Sequence, residues 1–168
     1  RHGIEFAAEA VARGAAIVLA EAPLPDIVQL DAPVVVIHEL RRRLGAIARR
    51  FYGNAAAGLH LIGVTGTNGK TSTVPFIAQG AALLGRRPAT QGTLGAGPLG
   101  QLVPGQRTTP DICATQRFLA DMRSDGVDTV AMEVSSHALM QGRVERVQFD
   151  VAVYTQLSRD HLDLLTQR

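Results

Sequence analysis

The sequence predicts an α/β fold whose larger part is a mostly parallel sheet covered by helices. Three observations predict it. From residue 60 onward, short apolar runs alternate with longer stretches of helical spacing, the order that yields parallel strands. The glycine-rich string Gly66-Thr67-Asn68-Gly69-Lys70-Thr71 lies between the first such run and the first such stretch. Hydrophobic residues make up 46% of the 168, enough for a packed core, so disorder is not expected.

In chain order, Phe6, Ala7, Ala10 and Val11 have helical spacing and stop before Gly14. Residues 15–20 read as a short apolar strand, broken by Pro23 and Pro25, and 34–37 as a second strand. Leu40, Leu44, Ile47, Ala48 and Phe51 mark an amphipathic helix. The small residues of 53–58 suggest a linker, which divides the chain into 1–58 and 59–168. The second part reads as strand 60–65, helix 69–84, strand 88–92, helix 110–124, strand 128–134 and strand 150–155. Pro75 falls early in the first of these helices, where it removes a donor and crowds the carbonyl of Thr71, so a kink or widened turn is expected. Thr109 is the expected N-cap of the next helix, with Pro110 at its first position and Asp111 in its first turn. Residues 95–107 contain glycines and prolines and read as a loop with room for a small hairpin.

Composition excludes several classes. A single cysteine, Cys113, allows no internal disulfide and fits a reducing, cytoplasmic location. No apolar run approaches the ~20 residues of a membrane helix, so no membrane insertion is expected. The first residues are Arg1-His2-Gly3, with neither an initiator methionine nor a signal peptide, which suggests a fragment. The formal net charge is +2; the arginines at 41–43 and 49–50 read as a solvated helix face. Aromatics are only 4%, and nucleic-acid binding is not expected without interleaved stacking residues.

The chemistry concentrates around Lys70, the sole lysine among 17 basic residues. Glycines let main-chain N–H groups face phosphate oxygens, the following helix start adds a favourable dipole, the ammonium reaches the outer phosphates, and Thr71 can ligate Mg²⁺. The strict phosphate-loop spacing fails, because Val64 stands where a glycine is required; Gly66 makes a tighter loop instead. A fortuitous turn rich in glycine and threonine is the plainer reading, and the strand–loop–helix context argues against it.

Ligands of an open parallel sheet collect at the carboxyl ends of its strands. Glu133, closing the run Val130-Ala131-Met132, reads as the second contributor to an Mg²⁺ site or as a structural helix cap or ion pair. Ser135, Ser136 and His137 follow it, and Asp160-His161 follow the last strand. Either histidine alone is more often a surface or packed residue than a ligand. Thr108 and Thr109 can cap a helix, hold an anionic substrate, or both. No zinc-ligand spacing is present.

The strings GVTGTNGKTST (63–73), GTLG (92–95), TTPD (108–111), MEVSSHALMQGRV (132–144), FDVAV (149–153) and LSRDHLD (157–163) together resemble the MurE ligases, UDP-N-acetylmuramoyl-tripeptide synthetases of peptidoglycan assembly. GTNGKT and DHLD are shared with other Mur ligases and folylpolyglutamate synthetases; EVSSHAL followed by QGRV is narrower. The resemblance is strong over 59–168 and weak over 1–58. It implies a partial uridine-binding-type domain at 1–58 and a partial ATP-binding central domain at 59–168. It implies that Gly66, Thr67, Asn68, Gly69, Lys70, Thr71 and Ser72 hold ATP, with Lys70 on the β- and γ-phosphates. Thr71, Glu133 and His161 then hold Mg²⁺, and Lys70, Glu133 and His161 form the catalytic set. Thr108, Thr109, Ser135, Gln141 and Arg143 hold UDP-N-acetylmuramoyl-dipeptide. The implied reaction joins diaminopimelate or lysine to its D-glutamate carboxylate through an acyl phosphate, in a monomer.

Departures accompany the resemblance. Gln156 stands where the family usually has asparagine, and Leu164 where it has tyrosine. The family's carbamylated lysine has no counterpart, since Lys70 is already assigned to the nucleotide. A truncated enzyme, inactive alone, is therefore expected. A non-catalytic nucleotide-binding or interaction module, or a sister ligase acting on folates, remains the alternative.

Overall fold

The computed structural model describes residues 3–24, 30–105 and 107–158. The chain divides into two compact units, Arg1–Leu44 and Gly45–Arg168.

In the first unit a 3-10 turn (Gly3–Phe6) leads into helix α1 (Ala7–Ala12), and strands β1 (Val18–Ala20) and β2 (Val34–Val36) pair in parallel, Val18 opposite Val34. Ile4, Ala7 and Ala20 form its buried core. The first strand is shorter than residues 15–20. The N–H groups of Gly14 and Ala15 bond back to the carbonyls of Val11 and Ala10, closing the helix and withdrawing both residues from any ladder. Pro25 lies outside the described residues.

Helix α2 (Leu40–Phe51) follows, then a run of turns in which Ala55 is completely buried. The second unit is built on a five-stranded sheet. Its strands are β3 (His60–Thr65), β4 (Pro88–Gly92), β5 (Gly95–Pro98), β6 (Thr129–Glu133) and β7 (Val151–Tyr154), in spatial order β5-β4-β6-β3-β7. Only the β4–β5 hairpin is antiparallel. The room left for a hairpin in the glycine-rich segment is thus filled by β5.

Strands β4 and β6 are buried along their whole length, as expected for parallel strands covered on both faces. Alternation sorts their side chains. Leu61, Ala89, Val130 and Met132 pack with Leu119 and Met122 of helix α4 (Ile112–Ser124) on one face. Val64 and Ala131 pack with Val74 of helix α3 (Lys70–Leu83) on the other. The α3 helix runs without interruption through Pro75 in its second turn.

The second of these helices begins later than residue 110. Asp111, not Thr109, is its N-cap, its carboxylate accepting from the Ala114 N–H at 3.0 Å. Thr109 is buried and its hydroxyl is used elsewhere. A short helix α5 (Ser136–Met140), capped by Ser135, was not expected; at five residues it is too short to show a periodicity.

Candidate functional site

The register of the central strands assembles the site. Val64 of β3 lies opposite Glu133 of β6, and Gln91 of β4 opposite Met132. Three chain segments therefore leave the sheet side by side at their carboxyl ends: the loop 66–69, the turn after Gly92, and the segment from Val134 into α5. The chain turns to opposite sides of β3 after β3 and β6, which makes this the switch point where open α/β sheets bind ligands.

The loop is shaped by one close approach. Gly66 has φ +131°, and a β-carbon there would overlap Thr155 Oγ1. Thr155 Oγ1 lies within hydrogen-bond reach of the carbonyls of Asn68 and of Thr65, the latter at 3.2 Å, and its single proton serves one of them at a time. The Thr67 N–H donates to Gln156 O at 3.0 Å, and the Ser158 N–H to Thr67 Oγ1 at 3.1 Å. Gln156, the departure noted in the sequence, thus meets the loop through its main chain. Lys70 opens α3, and its ammonium donates to Gly66 O and, at 3.1 Å, to Thr67 O.

Glu133 is 2% exposed and sits in a cradle of donors. Its Oε1 accepts from the Thr93 N–H at 2.8 Å. Its Oε2 accepts from Thr71 Oγ1 at 3.0 Å and Thr93 Oγ1 at 3.3 Å. A β-carbon on Gly92 would overlap this carboxylate, so only glycine allows β4 so close. Its hydrogen bonds tie the start of α3 to the turn after β4. Thr71 and Glu133 are hard oxygen donors of the kind that share Mg²⁺ with phosphate oxygens, so the donor chemistry fits that ion. Among the described residues no three His, Cys, Asp or Glu form a metal cluster. His161, with Asp160 and Leu164, lies outside the described residues.

An open cleft of about 500 Å³ runs from Lys70, Thr71 and Glu133 to Thr108, Thr109, Ser135, His137 and Arg143. Thr109 joins its walls: its Oγ1 donates to Glu133 O at 2.9 Å and accepts from the Ser135 N–H at 3.2 Å. Arg143 Nη1 donates to Thr109 O at 2.8 Å, and its Nε to Gln141 Oε1 at 2.9 Å, which fixes the guanidinium in the cleft wall. Gln141 itself is exposed and reaches the cleft only through Arg143. Asn68 and Ser72 are also exposed, and Ser72 stands outside the cleft lining. Among the described residues Lys70, Arg107 and Arg143 face a single carboxylate in this cleft, a balance that suits an anion carrying more than one charge.

Two residues in this lining were missed in the sequence. Arg107 precedes Thr108 in a segment that reads as featureless loop. Thr93 stands inside GTLG, where a lone threonine signals nothing until the β4–β6 register is known.

Comparison with known proteins agrees with this geometry. The Mur ligase middle domain matches residues 64–168. The UDP-N-acetylmuramoyl-L-alanyl-D-glutamate–2,6-diaminopimelate ligase of Xylella fastidiosa is 52% identical over 162 residues, 96% of this chain and 33% of that protein. The enzyme of the same name from Pseudomonas aeruginosa is 52% identical over 157 residues, covering 93% and 32%. A solved structure of a ligase with this name superposes with a TM-score of 0.76 at 38% identity, covering 94% of this chain and 31% of the other. The chain spans about a third of the length of the curated relatives it matches. A phosphate-type loop, a carboxylate cradled beside it and a matching middle-domain sequence lead to one conclusion: the chain belongs to the Mur ligase family.

Proposed function

We propose that this chain supplies the nucleotide-binding core and one wall of the acceptor cleft of a ligase that extends UDP-N-acetylmuramoyl-L-alanyl-D-glutamate by 2,6-diaminopimelate, at the expense of ATP. The names of the relatives support this amino acid over lysine. The observation that carries the reading is the Thr71–Glu133 hydrogen bond at 3.0 Å, which ties the start of the loop's helix to a buried carboxylate facing an anion-suited cleft.

In this reading residues 66–72 hold the triphosphate through their N–H groups other than that of Thr67, which is spent on Gln156 O, and the Lys70 ammonium exchanges Gly66 O and Thr67 O for phosphate oxygens. Thr71 and Glu133, with His161, would hold Mg²⁺, which when bound would supply neutralising charge at the phosphates. Thr108, Thr109, Ser135 and Arg143 orient the muramoyl-dipeptide, the guanidinium matching a carboxylate or phosphate with its planar fork. The D-glutamate carboxylate attacks the γ-phosphorus and ADP departs. The amine of the incoming amino acid then displaces phosphate from the acyl phosphate and forms the amide. Positioning and charge neutralisation are the protein's contribution. Residues 1–58 are assigned to the uridine-binding-type module and 59–168 to the ATP-binding one.

Calorimetry with a non-hydrolysable ATP analogue and Mg²⁺ tests the reading. Wild-type protein should bind, and Lys70→Ala should abolish measurable affinity. Unchanged binding by the variant would remove the loop assignment. A parallel titration with UDP-N-acetylmuramoyl-dipeptide against a folate separates this ligase from a folate-directed sister.

A further inference from the structure

Thr93 is the meeting point of the nucleotide loop, the buried carboxylate and the acceptor cleft. Its N–H fixes Glu133 Oε1 at 2.8 Å. Its hydroxyl lies 3.3 Å from Glu133 Oε2, 3.4 Å from Thr71 Oγ1 and 3.0 Å from Thr108 Oγ1. A hydroxyl has one proton to give and two lone pairs to receive. Thr93 Oγ1 can therefore donate to Glu133 or to Thr108, but not to both at once. The same limit holds for Thr71, whose single proton faces Glu133 Oε2 at 3.0 Å and Thr93 Oγ1 at 3.4 Å. Three hydroxyls and one carboxylate thus form a chain in which reorienting one member reorients the next.

We propose that Thr93 is a positioning residue that couples occupancy of the acceptor cleft to occupancy of the nucleotide–metal site. The inference rests on the ligase reading above. A substrate oxygen that takes the Thr108 hydroxyl as donor leaves Thr108 Oγ1 as an acceptor only. Thr93 then donates to Thr108, and its bond to Glu133 Oε2 is released. That oxygen keeps Thr71 as its one remaining hydroxyl neighbour and gains a lone pair for a cation. Acceptor binding thereby prepares the carboxylate for Mg²⁺, and by linkage Mg²⁺–nucleotide prepares Thr108 for the acceptor. The backbone N–H of Thr93 is unaffected by substitution at its side chain, so Glu133 stays anchored through Oε1 when only the hydroxyl is removed.

The test is a binding cycle on wild type, Thr93→Val and Thr93→Ser. Calorimetry measures the affinity of a non-hydrolysable ATP analogue with Mg²⁺, with and without saturating UDP-N-acetylmuramoyl-dipeptide, and the reciprocal titration closes the cycle. Wild type and Thr93→Ser should show each ligand tightening the other by roughly fivefold or more, the lower end of measured couplings. In Thr93→Val the ratio should fall close to one while each ligand alone still binds. Linkage in Thr93→Val equal to that of wild type overturns the proposal, and so does a wild type that binds both ligands without linkage. A wild type that binds neither ligand defeats the ligase reading itself. Thermal melts confirm folding; if Thr93→Val melts below the titration temperature, Thr93→Ala serves the same comparison.

Discussion

Replacing Gly92 with alanine perturbs the site at one atom. The new β-carbon would overlap Oε1, Cδ and Cγ of Glu133, while the backbone carrying it is held on both sides, by β6 and by β5. The side chain of Glu133 must move, and it is too buried to swing into water. The first bond lost is the 2.8 Å contact from the Thr93 N–H. A hydrogen bond to a charged group contributes about 1.5–3 kcal/mol. Alanine recovers about 0.5–1 kcal/mol by restricting the unfolded chain. The net loss is then about 0.5–2.5 kcal/mol. For a chain of this size that lowers the melting temperature by about 1–10 °C. Differential scanning calorimetry gives the stability, and titration of the Mg²⁺–nucleotide analogue gives the site. Both should fall. A variant with unchanged melting temperature and unchanged Mg²⁺-dependent affinity would show that Glu133 is not held where the structure places it.

The same substitution at Gly80 should have the opposite sign. A β-carbon there meets nothing within 4 Å in the middle of α3, so Gly80→Ala should add about 0.5–1 kcal/mol in a denaturant melt. Asp128 offers a pH test. Desolvation raises its pKa, but hydrogen bonds from Thr129 and the Arg87 N–H, with the charges of Arg86 and Arg87, outweigh that and hold it below the usual carboxylate value. A lowered folded-state pKa stabilises above the unfolded value and loses that contribution as pH falls through the folded value. Wild type minus Asp128→Asn stability should therefore be positive at neutral pH and shrink on acidification below about pH 4; a difference flat from pH 7 to 3 contradicts the assignment.

Much of the second unit was legible because its signals are local. The run Leu61-Ile62-Val64, the turn at 66–69 and the apolar spacing of α3 lie next to one another in the chain, and the structure keeps them so. Glu133 was legible as the polar residue closing a buried strand. Thr93 was not, since its importance comes from β4 lying beside β6 and from Gly92 leaving room for a carboxylate, and neither is a property of the string GTLG. Thr109 misled for a related reason. It has the side chain of a helix cap, but the carbonyl of Glu133 and the N–H of Ser135 occupy its hydroxyl, and Asp111 takes the cap. The short α5 shows the same limit, for one capping serine does not outweigh five residues without a period.

The loop at 66–69 owes part of its shape to Thr155, Gln156 and Ser158, which lie just past β7. Among the described residues that strand pairs with β3 alone, and its Val151 and Tyr154 are about half exposed. The turn read as the phosphate loop is consequently moored to the most exposed strand of the five-stranded sheet. Any fraying that begins at Tyr154 will slacken the glycine turn before it disturbs Val130 or Met132, so amide protons at 67 and 155 should exchange with solvent together, well ahead of those in the interior.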